Sequence, residues 1–177
     1  MPATLAILAA AALSIAAPAT AIAQEPVSMP TNPEAANRAL IENAFARWGT
    51  GDFDIFSLLA DDAVWHITGN DPEIAKTYRS RKALIEATSL PLRARLAGPL
   101  QPTVRGIWTD GDDVLVHWEG SAPLRDGSRY RNTYLWIMTV RGDRVTAVTA
   151  FLDNAAFKAA LAKPLPAGDH AVSRSGT

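Results

Sequence analysis

The chain of 177 residues contains no cysteine, which excludes disulfides, thiolate-bound zinc and iron–sulfur clusters. Its three histidines, His66, His117 and His170, are too few and too scattered to indicate a metal site. There is also no glycine-rich phosphate loop, internal repeat or heptad run. Acidic and basic residues are interspersed, with a net charge of −1, so we expect no nucleic-acid partner. We therefore expect no metal and no other cofactor.

The start of the chain has the composition of an export signal. Residues 5–23 are almost entirely Ala, Leu and Ile, and Ala21-Ile22-Ala23 before Gln24 has the small-x-small pattern of a cleavage site. A membrane anchor is the alternative, but Pro18 and the weakly hydrophobic composition disfavour it. No Lys or Arg precedes the run. We interpret residues 1–23 as a secretory signal peptide, which predicts a periplasmic or secreted protein with no stable membrane insertion after cleavage.

Removal of the signal leaves roughly 150 residues, enough for one domain with a substantial core. We expect a flexible leader over 24–33, a domain over 34–162 and a mobile tail over 163–177, because proline, glycine and polar residues are frequent in the two end segments.

Apolar spacing within the domain predicts an α+β fold. Three-to-four-residue periodicity predicts helices over 33–49, 53–60, 80–96 and 154–161, the third of them kinked or divided at Pro91. Alternation and turn residues predict strands over 63–68, 103–108, 114–122, 129–140 and 145–152, with an irregular loop over 69–77.

The long hairpin formed by the last two strands carries the clearest sign of a binding site. Strand alternation places five of its residues on one face: Tyr130, Asn132, Tyr134, Trp136 and Met138. Aromatic walls with a few polar groups are typical of small-molecule pockets. The alternative is that these aromatics are ordinary core. Asp153 closes the otherwise apolar strand, where it could perform chemistry or simply cap the helix that follows.

Three separated motifs and the order of elements resemble the nuclear transport factor 2-like superfamily. The motifs are Leu59-Ala60-Asp61-Asp62-Ala63-Val64-Trp65, Tyr78-Arg79-Ser80-Arg81 and Phe151-Leu152-Asp153. Within the superfamily the chain is most similar to the SnoaL-like group, relatives of polyketide cyclases, ketosteroid isomerase and limonene-epoxide hydrolase. The resemblance covers about residues 34–160. It implies a cone-shaped, curved antiparallel sheet with three main helices packed on one side.

The resemblance to ketosteroid isomerase does not extend to its catalytic groups. The positions of its tyrosine and of its base fall on Ala44 and Ile67, and its second aspartate falls on Leu135 or Trp136. Isomerisation by that mechanism is therefore not expected.

The resemblance to limonene-epoxide hydrolase retains part of the apparatus. Its basic aspartate falls on Asp153, and its Arg-x-Asp strand falls on His117-Trp118-Glu119. Its water-holding tyrosine and asparagine become Trp65 and Ile67. Polyketide cyclases rely on a carboxylate in a hydrophobic cavity, and the resemblance makes Asp153 the candidate for that role.

These comparisons give a candidate site with Asp153, His117 and Glu119 as catalytic groups. A His, a Glu and an Asp that converge in a cavity have the proton affinities that acid–base catalysis needs. The predicted substrate-binding residues are Trp65, Ile67, Asn132, Tyr134, Trp136 and Thr149. Convergence requires His117 and Glu119 to face inward. In the alternative orientation Val114, Val116 and Trp118 face the core.

Two functions follow. The first is an exported enzyme that performs cofactor-free acid–base chemistry, of isomerase, cyclase or hydrolase type, on a small apolar molecule with a carbonyl group. The alternative is a non-catalytic protein of the same fold that binds such a molecule or a partner. We also expect a homodimer through the outer face of the sheet, because Val114, Val116 and Trp118 offer one apolar face while the pocket takes the other, and a single row of helices cannot cover both.

Cleavage of the signal peptide predicts a mature chain that begins near Gln24. Intact-mass measurement of protein from the producing cell should give the mass of that shortened chain. A full-length species held in the membrane would contradict the prediction.

Overall fold

The computed structural model describes residues 32–165. The predicted signal peptide lies outside the described residues, as do most of the predicted leader and tail. No helix within residues 32–165 is long and apolar enough to cross a membrane.

The first helix, α1, spans Pro33–Thr50. The side chain of Asn32 caps it by accepting a hydrogen bond from the backbone N–H of Glu34, and Pro33 occupies the first turn, where no N–H is needed. The helix ends where Gly51 adopts the left-handed conformation, with φ of +84°.

A second helical run combines three segments: α2 over Arg81–Leu84, a π-helical turn over Ile85–Ser89 and α3 over Leu90–Arg95. Pro91 does not divide the run, because the wide π turn comes immediately before α3 and accommodates a residue that has no N–H to donate. The last helix, α4, spans Asn154–Leu161.

The prediction of a helix over 53–60 is wrong in part. Only Ile55–Leu58 is helical, as one 3₁₀ turn capped by the Asp54 side chain, and the first strand already begins at Leu59. Four apolar residues in a short window fit a helix or a buried strand equally well, which explains the misplaced boundary.

Six strands form one curved sheet in the order β2-β1-β6-β5-β4-β3. Neighbouring strands are antiparallel except β1 and β6, which are parallel. The two-residue β2 lies at the end of the segment predicted as a loop, and is too short to recognise from its sequence. The strands are β1 Leu59–Ile67, β2 Thr77–Tyr78, β3 Gln101–Asp110, β4 Asp113–Pro123, β5 Arg129–Arg141 and β6 Arg144–Leu152.

The helices cover one face of this sheet, so the predicted α+β architecture is confirmed. Helix α1 packs on β3 and β4, and α4 packs on β5 and on α3. The five hairpin residues predicted to share a face are all buried on the inner face of β5: Tyr130, Asn132, Tyr134, Trp136 and Met138.

The orientation of β4 is opposite to the one that the catalytic hypothesis requires. Val114, Val116 and Trp118 are almost fully buried on the inner face, and His117 and Glu119 are half-buried on the outer face. This orientation removes the larger apolar surface from water and spares an imidazole and a carboxylate the cost of desolvation. Val114, Val116 and Trp118 therefore cannot form an outer dimer surface.

The outer face of the sheet presents other apolar side chains. Leu115, Leu135 and Ile137 are half-buried there, and Phe151, which pairs with Leu135, is 43 % exposed. We therefore still expect the homodimer interface on the outer face of the sheet, but we expect these four residues to form it.

We propose that the wild-type protein is a homodimer through this outer face and expect the double variant Leu135→Lys/Phe151→Lys to be a monomer, because two paired apolar residues would each bring a charge to the proposed interface. Light scattering at micromolar concentration measures the change, with Ala155→Lys on the exposed side of α4 as the control. A monomeric wild-type protein would contradict the prediction.

Candidate active site

A cavity of about 500 Å³ lies between the inner face of the sheet and the helices. Four of the chain's five tryptophans line it. The aromatic residues of its wall are Trp48, Phe53, Phe56, Trp65, Trp118, Tyr134, Trp136 and Phe157.

The register of the strands builds the deepest part of the wall. Trp118 of β4 lies opposite Tyr134 of β5, and Trp136 of β5 lies opposite Ala150 of β6. Gly120 lies beside them, and a Cβ at this position would be in tight contact with both rings, 3.0 Å from that of Trp118 and 3.2 Å from that of Tyr134. A small residue thus allows two large rings to lie side by side.

The rings of the wall hold one another in place. Trp118 and Tyr134 stack with their centroids 4.0 Å apart and their planes 8° apart. Trp136 meets Trp118 edge-on at 4.7 Å and meets Trp65 edge-on at 4.9 Å. Such geometries are favourable for aromatic pairs, and they leave the wall little freedom to rearrange.

A buried hydrogen-bonded chain reaches the wall from behind. The Asn132 side chain accepts from the backbone N–H of Asp153 (2.9 Å) and donates to the carbonyl of Asp153 (3.0 Å) and to the Tyr130 hydroxyl (3.0 Å). The hydroxyl oxygens of Tyr130 and Tyr134 are 2.6 Å apart. Of these three hydrogen-bonded residues, only Tyr134 lines the cavity. Asn132 and Tyr130 therefore support the wall from its far side.

Burial determines the protonation of both phenols. It raises the pKa of Tyr130 above its ordinary value and raises that of Tyr134 well above it, with the neighbouring Tyr130 adding to the second shift. Tyr134 is therefore a neutral hydrogen-bonding group at physiological pH and not a phenolate base.

Charged residues line the cavity at Asp52, Asp54 and Arg93. The Arg93 guanidinium lies 3.0 Å from an Asp54 oxygen, which also accepts from the backbone N–H of Phe56, and both side chains of the pair are nearly half exposed. Exposure shows that this pair lies at the mouth of the cavity and not in its depth.

The π-helical turn contributes two hydroxyl groups, from Thr88 and Ser89. The Thr88 hydroxyl donates to the Leu84 carbonyl at 2.7 Å, so it is already satisfied within the helix. π turns are frequent at functional sites, because the extra residue changes which side chains face inward.

The expectation that His117 and Glu119 point into the cavity is wrong. Glu119 lies 2.8 Å from the Arg105 guanidinium on the outer face, and that hydrogen bond lowers the pKa of the Glu119 carboxyl. Neither residue lines the cavity. The cause is the orientation of β4, since a strand that turns Trp118 inward turns both of its neighbours outward.

Asp153 is also outside the cavity. It is exposed, and its carboxylate caps α4 by accepting from the backbone N–H of Ala156 at 2.9 Å. Thr149, predicted to bind substrate, is half-buried on the outward side of β6, opposite Ile137. The three predicted catalytic residues therefore do not converge.

The remaining predicted binding residues do come together. Trp65, Ile67, Tyr134 and Trp136 lie on the cavity wall, and Asn132 lies directly behind it. Sequence reasoning missed the inward direction of Trp118 and the charged residues of the mouth. The alternation Val114-x-Val116-x-Trp118 is the signal that could have indicated the inner face, because it is the more apolar one. No cluster of His, Asp or Glu that could hold a metal ion occurs within residues 32–165.

We expect Asp153→Ala to lower the free energy of unfolding by about 1 kcal/mol, the usual cost of a lost helix cap. Asp153→Asn is the matched control, because an amide oxygen can cap equally well, and should leave stability nearly unchanged. Urea denaturation measures both variants. A stabilised alanine variant would contradict the capping role.

The three tyrosines should make stability fall at alkaline pH. Burial raises the pKa of Tyr78, Tyr130 and Tyr134 above the ordinary value of 10.0. Their contribution is fully present below that value and is lost as the pH rises past it, because only the unfolded chain then releases these protons. Tyrosinate absorbance should therefore appear together with unfolding followed by circular dichroism. A tyrosine that ionises near pH 10 in the folded protein would contradict this.

The sequence and the fold agree with one family of proteins. The model of the SnoaL-like domain family matches residues 41–148. No curated protein matches the sequence.

Solved structures with the same fold come from several bacteria. An NTF2-like protein from Burkholderia xenovorans LB400 is 22 % identical, with a TM-score of 0.51 over 72 % of this chain and 97 % of its own. A candidate SnoaL-like polyketide cyclase from Jannaschia sp. CCS1 is 17 % identical, with a TM-score of 0.57 over 76 % of this chain and 96 % of its own. IdmH, a candidate polyketide cyclase from Streptomyces antibioticus, is 22 % identical, with a TM-score of 0.53 over 72 % and 99 % of the two chains.

These identities are low, so the structures establish the fold and not the activity. The family match extends over more than half of the chain and includes most of the sheet. The protein therefore belongs to the SnoaL-like domain family.

Proposed function

We propose that this SnoaL-like chain is an exported protein whose cavity binds a small apolar molecule. The observation that carries the proposal is the set of eight aromatic side chains around a cavity of about 500 Å³. Export rests on the Ala-rich segment over residues 5–23 and its small-x-small end.

The size and the lining of the cavity define the class of ligand. Its volume falls in the range of about 300–1,000 Å³ that is usual for small-molecule sites. Flat rings such as Trp65, Trp118 and Trp136 offer faces and edges on which another ring system can stack. A molecule of one to three fused rings fits both properties.

The charges of the site disfavour a buried anion. Among the described residues that line the cavity, Arg93 is the only cation, and it is paired with Asp54 at the mouth. An anionic ligand would lose its hydration in the depth of the cavity without a compensating charge. We therefore propose a ligand whose buried part is neutral.

Cofactor-free acid–base chemistry is the second candidate function. Candidate polyketide cyclases share the fold, and this chain places the carboxylates of Asp52 and Asp54 at the mouth of the cavity. Because Arg93 holds Asp54, Asp52 is the better candidate to remove a proton from a bound molecule. His117, Glu119 and Asp153 have no part in this version of the chemistry.

A cavity-filling variant tests the binding proposal. The probe is 2-acetonaphthone, and binding is followed by quenching of tryptophan fluorescence, since four tryptophans surround the cavity. Ala150→Leu should weaken binding at least tenfold, because the larger side chain projects into the space that the probe needs. The control Thr149→Val changes the neighbouring residue on the outward side and should have no effect. A thermal melt of each variant shows that it is folded.

Equal binding by wild type and Ala150→Leu would contradict the proposed site, and absence of binding by the wild type would contradict the proposed ligand class. The same probe tests for catalysis, because the methyl protons beside its carbonyl exchange with deuterium when a base removes them. The second function would be supported by faster deuterium exchange in the presence of the wild-type protein. Asp52→Asn should then lower the rate of this catalysed exchange by a factor on the order of a hundred.

A further inference from the structure

The π-helical turn gives the cavity one polar group that the described part of the protein does not use. We infer that the Ser89 hydroxyl determines which molecules the cavity prefers, by exchanging a hydrogen bond with a neutral hydroxyl or carbonyl oxygen of the ligand. This inference rests on the proposed function, because it names the polar group of the molecule that the cavity binds.

Ser89 ends the π-helical turn Ile85–Ser89 and lies on the helical side of the cavity. In a regular helix, residues three or four apart share a face and adjacent residues do not. The wider π turn holds one residue more, so Thr88 and Ser89 both line the cavity although they are adjacent in sequence. Leu92 and Arg93 continue the same face one turn later.

The Ser89 hydroxyl is buried without a hydrogen-bond partner. Ser89 is 7 % exposed, and within residues 32–165 the only hydroxyl hydrogen bond of the π turn is the one from Thr88 to the Leu84 carbonyl. A helical serine commonly donates to the carbonyl four residues back. In this turn that carbonyl belongs to Ile85, and it accepts the backbone N–H of Leu90 instead.

The oxygen of Ser89 is nevertheless open to the cavity. Among residues 32–165, two buried side-chain atoms are both unpaired and sealed from water, Nε1 of Trp118 and Oδ1 of Asn154. The Ser89 oxygen is unpaired but not sealed, and the space that this residue lines is the cavity. A molecule inside the cavity can therefore reach it.

The hydroxyl has a cost that only a polar partner offsets. A buried hydroxyl loses its hydration, and serine is a poorer helix former than alanine. An alanine at position 89 would line the cavity without either cost. A ligand that is apolar throughout would leave the hydroxyl unpaired, whereas a ligand oxygen would satisfy it.

The chemistry of Ser89 and its surroundings defines the class of that polar group. A serine hydroxyl can donate one hydrogen bond and accept others, so it pairs with a carbonyl oxygen or with another hydroxyl. The guanidinium of Arg93, one turn further along the helix, is already held by Asp54. A charged ligand group beside Ser89 would lack a free counterion among the described cavity residues, so the group is neutral.

The test uses two pairs of probes that differ only in the polar group: 2-acetonaphthone with 2-isopropenylnaphthalene, and 2-naphthol with 2-methylnaphthalene. For each pair we measure the Kd of the apolar probe divided by that of the polar probe. Ser89→Ala should lower this ratio about fivefold for at least one pair, because one neutral hydrogen bond is lost. The control Ser57→Ala, which removes an exposed hydroxyl outside the cavity, should leave both ratios unchanged.

A thermal melt separates recognition from a structural role. Ser89→Ala should unfold at the same temperature as wild type or at a higher one, because no hydrogen bond within the described residues is removed and alanine favours the helix. A variant that unfolds at a lower temperature would overturn the inference, since the hydroxyl would then have a partner inside the protein.

The binding results distinguish this inference from the proposal on which it rests. Ratios that Ser89→Ala leaves unchanged for both pairs would overturn the inference, while tight binding of the probes would leave the proposed function intact. Failure of all four probes to bind the wild-type protein would instead overturn the proposed function.

Discussion

The stack of Trp118 on Tyr134 determines which face of the sheet encloses the cavity. The two rings lie 4.0 Å apart on neighbouring strands, and Phe45 and Trp48 of α1 both meet the Trp118 ring edge-on. Burial of a tryptophan stabilises the fold by several times the energy of any exposed ion pair on the opposite face. Once Trp118 points inward, alternation places every second residue of β4 inside and the others outside. Gly120 fits this arrangement, because a Cβ there would press tightly against both rings.

The chemistry of the site follows from that orientation. The ionisable residues of β4 are on the outer face, where Glu119 pairs with Arg105, and the cavity keeps rings and hydrogen-bond donors. The polar chain from Asn132 through Tyr130 to Tyr134 also joins β5 to the start of α4, since Asn132 bonds both backbone groups of Asp153. One buried network therefore holds the last helix against the sheet and fixes the hydroxyl of Tyr134, whose ring lines the cavity. Asp153 contributes its backbone to this network and its carboxylate to a helix cap.

Much of the fold could be predicted from local pattern. The alternation in β5 identified the buried face of that strand, and the Asn32-Pro33 pair located the start of α1. The inward face of β4 was harder to predict, because both faces of this strand carry apolar residues. The likeness to epoxide hydrolases favoured the face with His117 and Glu119, which the structure places outside. The π turn at Ile85–Ser89 and the pairing of β2 depend on tertiary contacts that no short window contains. The charged mouth was missed for the same reason, since Asp54 and Arg93 meet only after folding.

A crystal structure of the protein with 2-acetonaphthone tests the central claim most directly, because it locates the probe on one face of the sheet. The naphthyl rings should lie inside the cavity, among Trp65, Trp118 and Trp136. A probe seated on the outer face, beside His117, would contradict this placement.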